Sequence, residues 1–388
     1  MKALVEPQLL IWARRTANLE PKAADRKIGV PDGRVEQWET GERAPTIAEL
    51  RRACEVYNRP LGVFFLPEPP QGFETLRDFR RLALGSSGEW SADLHAEYRR
   101  AHDQRDALLE IAELDHQPAS RAWRLTIADN IADNTAIARE ARDLLEGGAP
   151  LTYPRPSADE YTHLGYWTAA LEETGVLVMH TAGGRVSPDE MRAFSLYFDE
   201  IPVIVLNGAD YPRGRLFSLL HEYAHLLLHT AGLCDTRTDQ RAVSENRQVE
   251  ARCNAIAADI LMPAATVLAS DLVANHSPGE PWTLADLVDA AKPYGVSAES
   301  FLRRLVTLGR VPATQYQRFR DTYRRDEIHR AKPGGGNFYI NKARDLGKGY
   351  VRTVTGAHRR ALIDSTTAAT YLDVKVNQIP DLAAKARI

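Results

Sequence analysis

Hydrophobic positions along this chain recur with two periods, and the change between them divides it. Over residues 1–66, short apolar-faced segments alternate with turn residues and predict five short helices. The middle of this segment reads as a helix over Pro21–Gly29, a turn at Val30-Pro31, a helix over Asp32–Glu39, and then Thr40–Thr46 opening the next helix. Asp32 is the expected N-cap of the second of these and Gly41 its expected stop. Thr46 is the next cap, with Glu49 at the capping-box position. Residues 72–148 read mainly as helix. Between 174 and 207 the pattern shortens to three strand-like runs, Gly175–Met179, Ala193–Phe198 and Pro202–Asn207, the last two close enough across Asp199–Pro202 for a hairpin. Two strongly apolar helices follow, at 214–230 and 245–261, and further helix runs to residue 330. Strands followed by helices predict an α+β block.

Two breakers mark joints, Pro67-Glu68-Pro69-Pro70 and Lys332-Pro333-Gly334-Gly335-Gly336, where prolines remove backbone donors and glycines loosen the chain. They suggest four parts: 1–66, 72–148, 149–330 and 331–388. A chain of 388 residues has room for two or three domains. With 44% hydrophobic and 26% charged residues it is not a disordered, collagen-like or membrane-embedded chain. The formal net charge of −3 conceals an asymmetry. Residues 1–70 carry 11 basic against 10 acidic side chains, residues 71–300 carry 20 against 35, and residues 301–388 carry 18 against 7. Parts with different partners are implied. Cys54, Cys234 and Cys253 are odd in number and form no C-x-x-C pair, which points to a reducing compartment. With no signal-like or membrane-length apolar run, a cytoplasmic protein without membrane contact is expected.

The sharpest chemistry lies in the first apolar helix. Its polar positions, Ser218, His221, Glu222, His225 and His229, form one stripe among Leu, Phe, Tyr and Ala. Histidines four residues apart share a helix face and can reach one metal ion, with Glu222 placed to take a proton from water beside it. His229 lies eight residues beyond His221, about 12 Å along the axis, too far to share the ion. A catalytic zinc needs a third protein ligand, and Glu250 on the following helix is the candidate, read on its own as a solvated helix glutamate. Asn254, one turn on, is expected to accept the N–H of a ligating histidine. Cys253 lies on the apolar face and reads as core.

The run Arg215-x-Phe217-Ser218-Leu219-x-His221-Glu222-x-x-His225, followed by Glu250-x-x-Cys253-Asn254-x-x-Ala257-Ala258-x-x-Leu261-Met262-Pro263, resembles the ImmA/IrrE family of bacterial metallopeptidases. That resemblance implies a gluzincin-like zinc enzyme in which His221, His225 and Glu250 hold Zn2+ and Glu222 is the general base. It implies a protein substrate, an XRE-type repressor or antitoxin. Tyr211, His180 and several C-terminal tyrosines are available to stabilise an oxyanion, and the edge of Pro202–Asn207 could hold an extended substrate.

In the first segment, Val35-x-x-Trp38-Glu39-x-Gly41-x-x-x-Pro45-Thr46 resembles an XRE-type helix-turn-helix domain. Asp32–Glu39 is then the recognition helix, with Arg34 and Gln37 facing base edges and Lys27 and Arg43 facing phosphates of double-stranded DNA. Asp25 stands where this fold usually has a small alanine. The other reading of the segment is contact with protein, as in a homodimer or a complex with another XRE-type protein. The basic end resembles the C-terminal part of longer family members, and its arginines either meet nucleic acid or dock on the acidic middle. The expectation is a mostly helical, multidomain chain: an all-α helix-turn-helix domain joined to an α+β gluzincin-like metallopeptidase that regulates transcription in stress, mobile-element or toxin–antitoxin circuits. The rival expectation is a DNA-binding regulator whose zinc-site domain senses or docks without peptidase turnover.

Overall fold

The computed structural model describes residues 3–387 except 4, 18, 58, 60, 69–90, 126–132, 229–242, 278–279 and 324–335. Half of the first joint and most of the second, together with His229 and Cys234, therefore lie outside the described residues. The chain divides into two compact units, Met1–Arg100 with Thr236–Val243, and Ala101–Asp235 with Ser244–Ile388.

In the first unit, α1 (Pro7–Thr16), α2 (Pro21–Ile28), α3 (Arg34–Glu39) and α4 (Ile47–Tyr57) precede a single 3-10 turn at Leu61–Phe65. Their apolar faces close on one core containing Leu9, Leu10, Trp38, Leu50 and Phe64. The capping box at α4 forms: the Thr46 N–H donates to Glu49 Oε2 at 2.7 Å, and the Glu49 N–H to Thr46 Oγ1 at 3.2 Å. Gly41 has φ +76, the left-handed conformation that ends a helix with least strain in glycine. The start of α3 differs from expectation. Gly33, with φ +79, occupies its cap position, so Asp32 is not the cap. The capping acid comes from the preceding helix instead. Asp25, fully buried, accepts the Gly33 N–H at 2.7 Å and the Val35 N–H at 2.8 Å.

Helix α5 (Ala92–Leu114) follows in the chain. The second unit then contains α6 (Asn134–Gly148), α7 (Glu160–Glu173), β1 (Leu177–His180), β2 (Ala193–Leu196), β3 (Val203–Leu206), α8 (Pro212–Leu227) and α9 (Val243–Leu261). Asp133 and Asp159 cap α6 and α7 by accepting the backbone N–H of the third residue of each helix. β2 and β3 form the expected antiparallel hairpin, with Ser195 opposite Ile204. β1 pairs parallel with the other side of β3, giving the order β1-β3-β2. The Pro202–Asn207 strand is therefore central. Both of its edges are spent on neighbouring strands, which corrects the expectation that it could take up a substrate strand.

α8 packs across β2, β3 and α7, and its Leu219, Leu220 and Tyr223 join Cys253, Ile256 and Ile260 of α9 in one core. Two arginines secure the end of α9. Arg142 donates to the Ile260 carbonyl; Arg304 donates to the Met262 carbonyl at 3.0 Å and pairs with Asp259. Cations at a helix C-terminus satisfy orphan carbonyls and favour the dipole. Helices α10 (Ala264–Ala269), α11 (Asp271–Ala274), α12 (Leu284–Ala291), α13 (Ala298–Thr307) and α14 (Ala313–Tyr323) complete this part.

The last helices, α15 (Phe338–Leu346), α16 (Lys348–Arg359), α17 (Ser365–Leu372) and α18 (Ile379–Lys385), fall in the same compact unit. The α15–α16 link lies against β1: a Cβ at Gly347, where φ is +89, would fall 2.2 Å from the Val178 carbonyl oxygen. Glu172 at the end of α7 accepts the Gly349 N–H at 2.9 Å and pairs with Arg352 at 3.3 Å. Arg360 pairs with Asp115 at 2.8 Å. Part of the basic end thus docks on acidic groups of its own unit. Among the described residues no helix is long and apolar enough to cross a membrane.

Candidate metal centre

α8 is buried on almost every side because it runs between the sheet and α9, and the two helices bring three donors together. His221 Nε2 and His225 Nε2 lie 3.1 Å apart. Glu250 Oε2 is 3.3 Å from the first and Glu250 Oε1 is 3.2 Å from the second. One donor atom from each residue falls within 4.8 Å of the others. The i, i+4 spacing stacks both imidazoles on one face, and α9 supplies its carboxylate from the side.

The electrostatics of these groups call for positive charge among them. Burial disfavours a charged His225, yet Cys253, Glu250 and Glu222 around it outweigh burial and push its pKa up to about 10. Burial likewise raises Glu250, but hydrogen bonds from His221 and His225 bring it down to about 2. Two imidazole nitrogens and a carboxylate oxygen suit a divalent transition metal, and the centre is small enough for one ion. Burial pushes the Cys253 thiol up against the pull of His225, which keeps it a thiol at neutral pH.

Glu222 is fully buried between the two histidines in sequence. Its Oε2 accepts a hydrogen bond from Ser195 Oγ at 2.7 Å, and its Oε1 is buried without a partner. Ser195 was not legible as part of the site. Its only sequence signal is a lone hydroxyl in the buried strand Ala193-Phe194-Ser195-Leu196.

Other expected site residues are distributed differently. Asn254 follows Glu250 by one turn, but no hydrogen bond joins it to an imidazole; His221 Nδ1 is buried without a partner. His180 lies on the outer strand β1, its Nδ1 3.2 Å from the Arg344 carbonyl oxygen. Tyr211 caps the start of α8, ten residues and about 15 Å along the axis from His221. Among the C-terminal tyrosines, Tyr350 donates to the Tyr371 carbonyl at 3.0 Å and Tyr316 to Glu299 at 3.0 Å. None of these reaches the centre through its described contacts. In the first unit, Arg34 lies 3.5 Å from Glu49 and is half-buried, as is Gln37, while Lys27 and Arg43 are exposed.

Residues 171–306 match the family model of the peptidase M78 type, described as the IrrE N-terminal-like domain, and residues 10–64 match a helix-turn-helix model. No curated protein matches the chain. The two matches fall one in each compact unit, and the first contains all three donors and Glu222. The chain thus joins an XRE-type helix-turn-helix domain to an IrrE-like peptidase domain.

Proposed function

We propose that this fusion is a cytoplasmic, zinc-dependent endopeptidase of the HEXXH, gluzincin-like kind, which cleaves an XRE-type repressor or antitoxin and so controls transcription. The convergence of His221 Nε2, His225 Nε2 and the Glu250 carboxylate within 4.8 Å, beside a buried Glu222 with one free oxygen, carries the reading. His221, His225 and Glu250 would hold the ion. Zinc, when bound, supplies a Lewis acid that lowers the pKa of water and polarises a peptide carbonyl. Glu222 Oε1 takes a proton from the attacking water and delivers it to the leaving amine nitrogen. The surrounding apolar residues of α8 and α9 keep bulk water from this exchange.

The helix-turn-helix domain, in this reading, binds double-stranded DNA or the related fold of the substrate. Gln37 and Arg34 lie on α3 for base edges, and exposed Lys27 and Arg43 are available for phosphates. Metal analysis of the full chain is expected to find about one zinc, lost in His221→Ala. Incubated with XRE-type repressors encoded beside its gene, the wild type should cleave one and Glu222→Gln should not. Zinc without cleavage of any, with DNA present or absent, would favour a regulator that uses the centre without turnover.

A further inference from the structure

Glu222 could rotate about three side-chain bonds, and only one of its oxygens is needed for proton transfer. The structure gives it a fixed orientation from outside its own helix. Ser195 sits on β2, 2% exposed, and the strand is held to β3 on a register that sets Ser195 opposite Ile204. Its Oγ lies 2.7 Å from Glu222 Oε2. The serine hydroxyl donates and the carboxyl oxygen accepts. No other hydrogen bond holds Glu222 among the described residues, and Oε1 remains buried with no partner.

We infer that Ser195 is a positioning residue for the base: its hydroxyl occupies Oε2, so that the proton drawn from water lands on Oε1 and leaves from Oε1. Ser195 keeps its own proton throughout. A carboxylate buried without this donor would have two equivalent oxygens. The strand is the better place for such a group than the helix. Its backbone is fixed by hydrogen bonds to β3, so the hydroxyl does not follow Glu222 when the side chain moves. The inference rests on the proposed peptidase function, and its test separates the two.

The test uses the zinc-loaded full chain with Ser195→Ala, Ser195→Cys and Ser195→Thr, checking zinc content and melting temperature first. Cysteine keeps the volume but is a weak donor; threonine keeps the hydroxyl. Calorimetry then measures acetohydroxamate, which hands a proton to the base on binding, and azide, which has none to give. Ser195→Ala and Ser195→Cys are expected to bind acetohydroxamate about 10–100-fold more weakly, the usual cost of losing a partner behind a metal centre. Azide affinity and zinc content should stay unchanged, and Ser195→Thr should restore acetohydroxamate binding. Against a cleaved substrate the same two variants should lose kcat with KM unchanged. If the wild type binds acetohydroxamate and Ser195→Ala binds it equally, the inference is overturned and the peptidase stands. If the zinc-loaded wild type binds no acetohydroxamate, the peptidase reading is overturned, and the role of Ser195 with it.

Discussion

Asp25 in the helix-turn-helix unit and Glu222 on the metal helix are both fully buried acids, and the fold treats them in opposite ways. Each oxygen of Asp25 accepts a backbone N–H, from Gly33 and from Val35, at the start of the next helix. Only one oxygen of Glu222 is engaged, by Ser195, and the other is left bare in an apolar helix. A buried polar atom without a protein partner costs free energy. Saturation therefore marks the acid that builds a turn. Under the proposed function, the open oxygen of Glu222 is the one that exchanges a proton.

Substitution should separate the two with the largest effect at Glu222. Glu222→Gln removes the proton acceptor but keeps the shape, so cleavage is expected to fall about 10²–10⁴-fold. Zinc content and melting temperature should hold, because a neutral amide is easier to bury than a carboxylate. A variant that keeps its rate, or that loses its fold instead, would place Glu222 with Asp25 as a structural acid. At Asp25 the pattern should invert. Asp25→Ala leaves two backbone donors of α3 unsatisfied and is expected to destabilise the first unit by about 2–4 kcal/mol, while Asp25→Asn, which keeps one acceptor, should cost about 1 kcal/mol. Both should leave zinc binding intact. Chemical denaturation monitored at Trp38, buried on α3 itself, would measure this.

The same contrast explains what the sequence could disclose. His221, His225 and Glu222 were legible because one helical period fixes all three, and Glu250 because a second apolar helix follows at once. Ser195 was not, since its role depends on how a strand registers against a helix 27 residues away. Asp25 looked like a misfit for the same reason: its partners are backbone groups 8 and 10 residues on, in a turn that Gly33 shapes. Strand order was equally hidden. A hairpin can be read from two neighbouring runs, but nothing local says that β1 will return to cover the other edge of β3.

A third buried acid stands between the two extremes and gives the smallest effect. Glu172 has partners on both oxygens, the Gly349 N–H and Arg352, yet burial outweighs them and pushes its pKa up to about 7, from 4.5. A carboxyl whose folded pKa is raised contributes stability that is fully present below the unfolded pKa and is lost as pH rises through the folded one. The fastening of α16 to α7 is therefore expected to weaken as pH rises from 4.5 through about 7. Glu172→Gln can still accept the Gly349 N–H and has no charge to bury, so it should remove this slope. Hydrogen exchange of α16 amides in the wild type and the variant, at pH 5 and pH 8, would read it locally. Equal slopes would mean that the Arg352 pair, not desolvation, governs Glu172, and that an acid with both oxygens held behaves like Asp25 even where its partners are side chains.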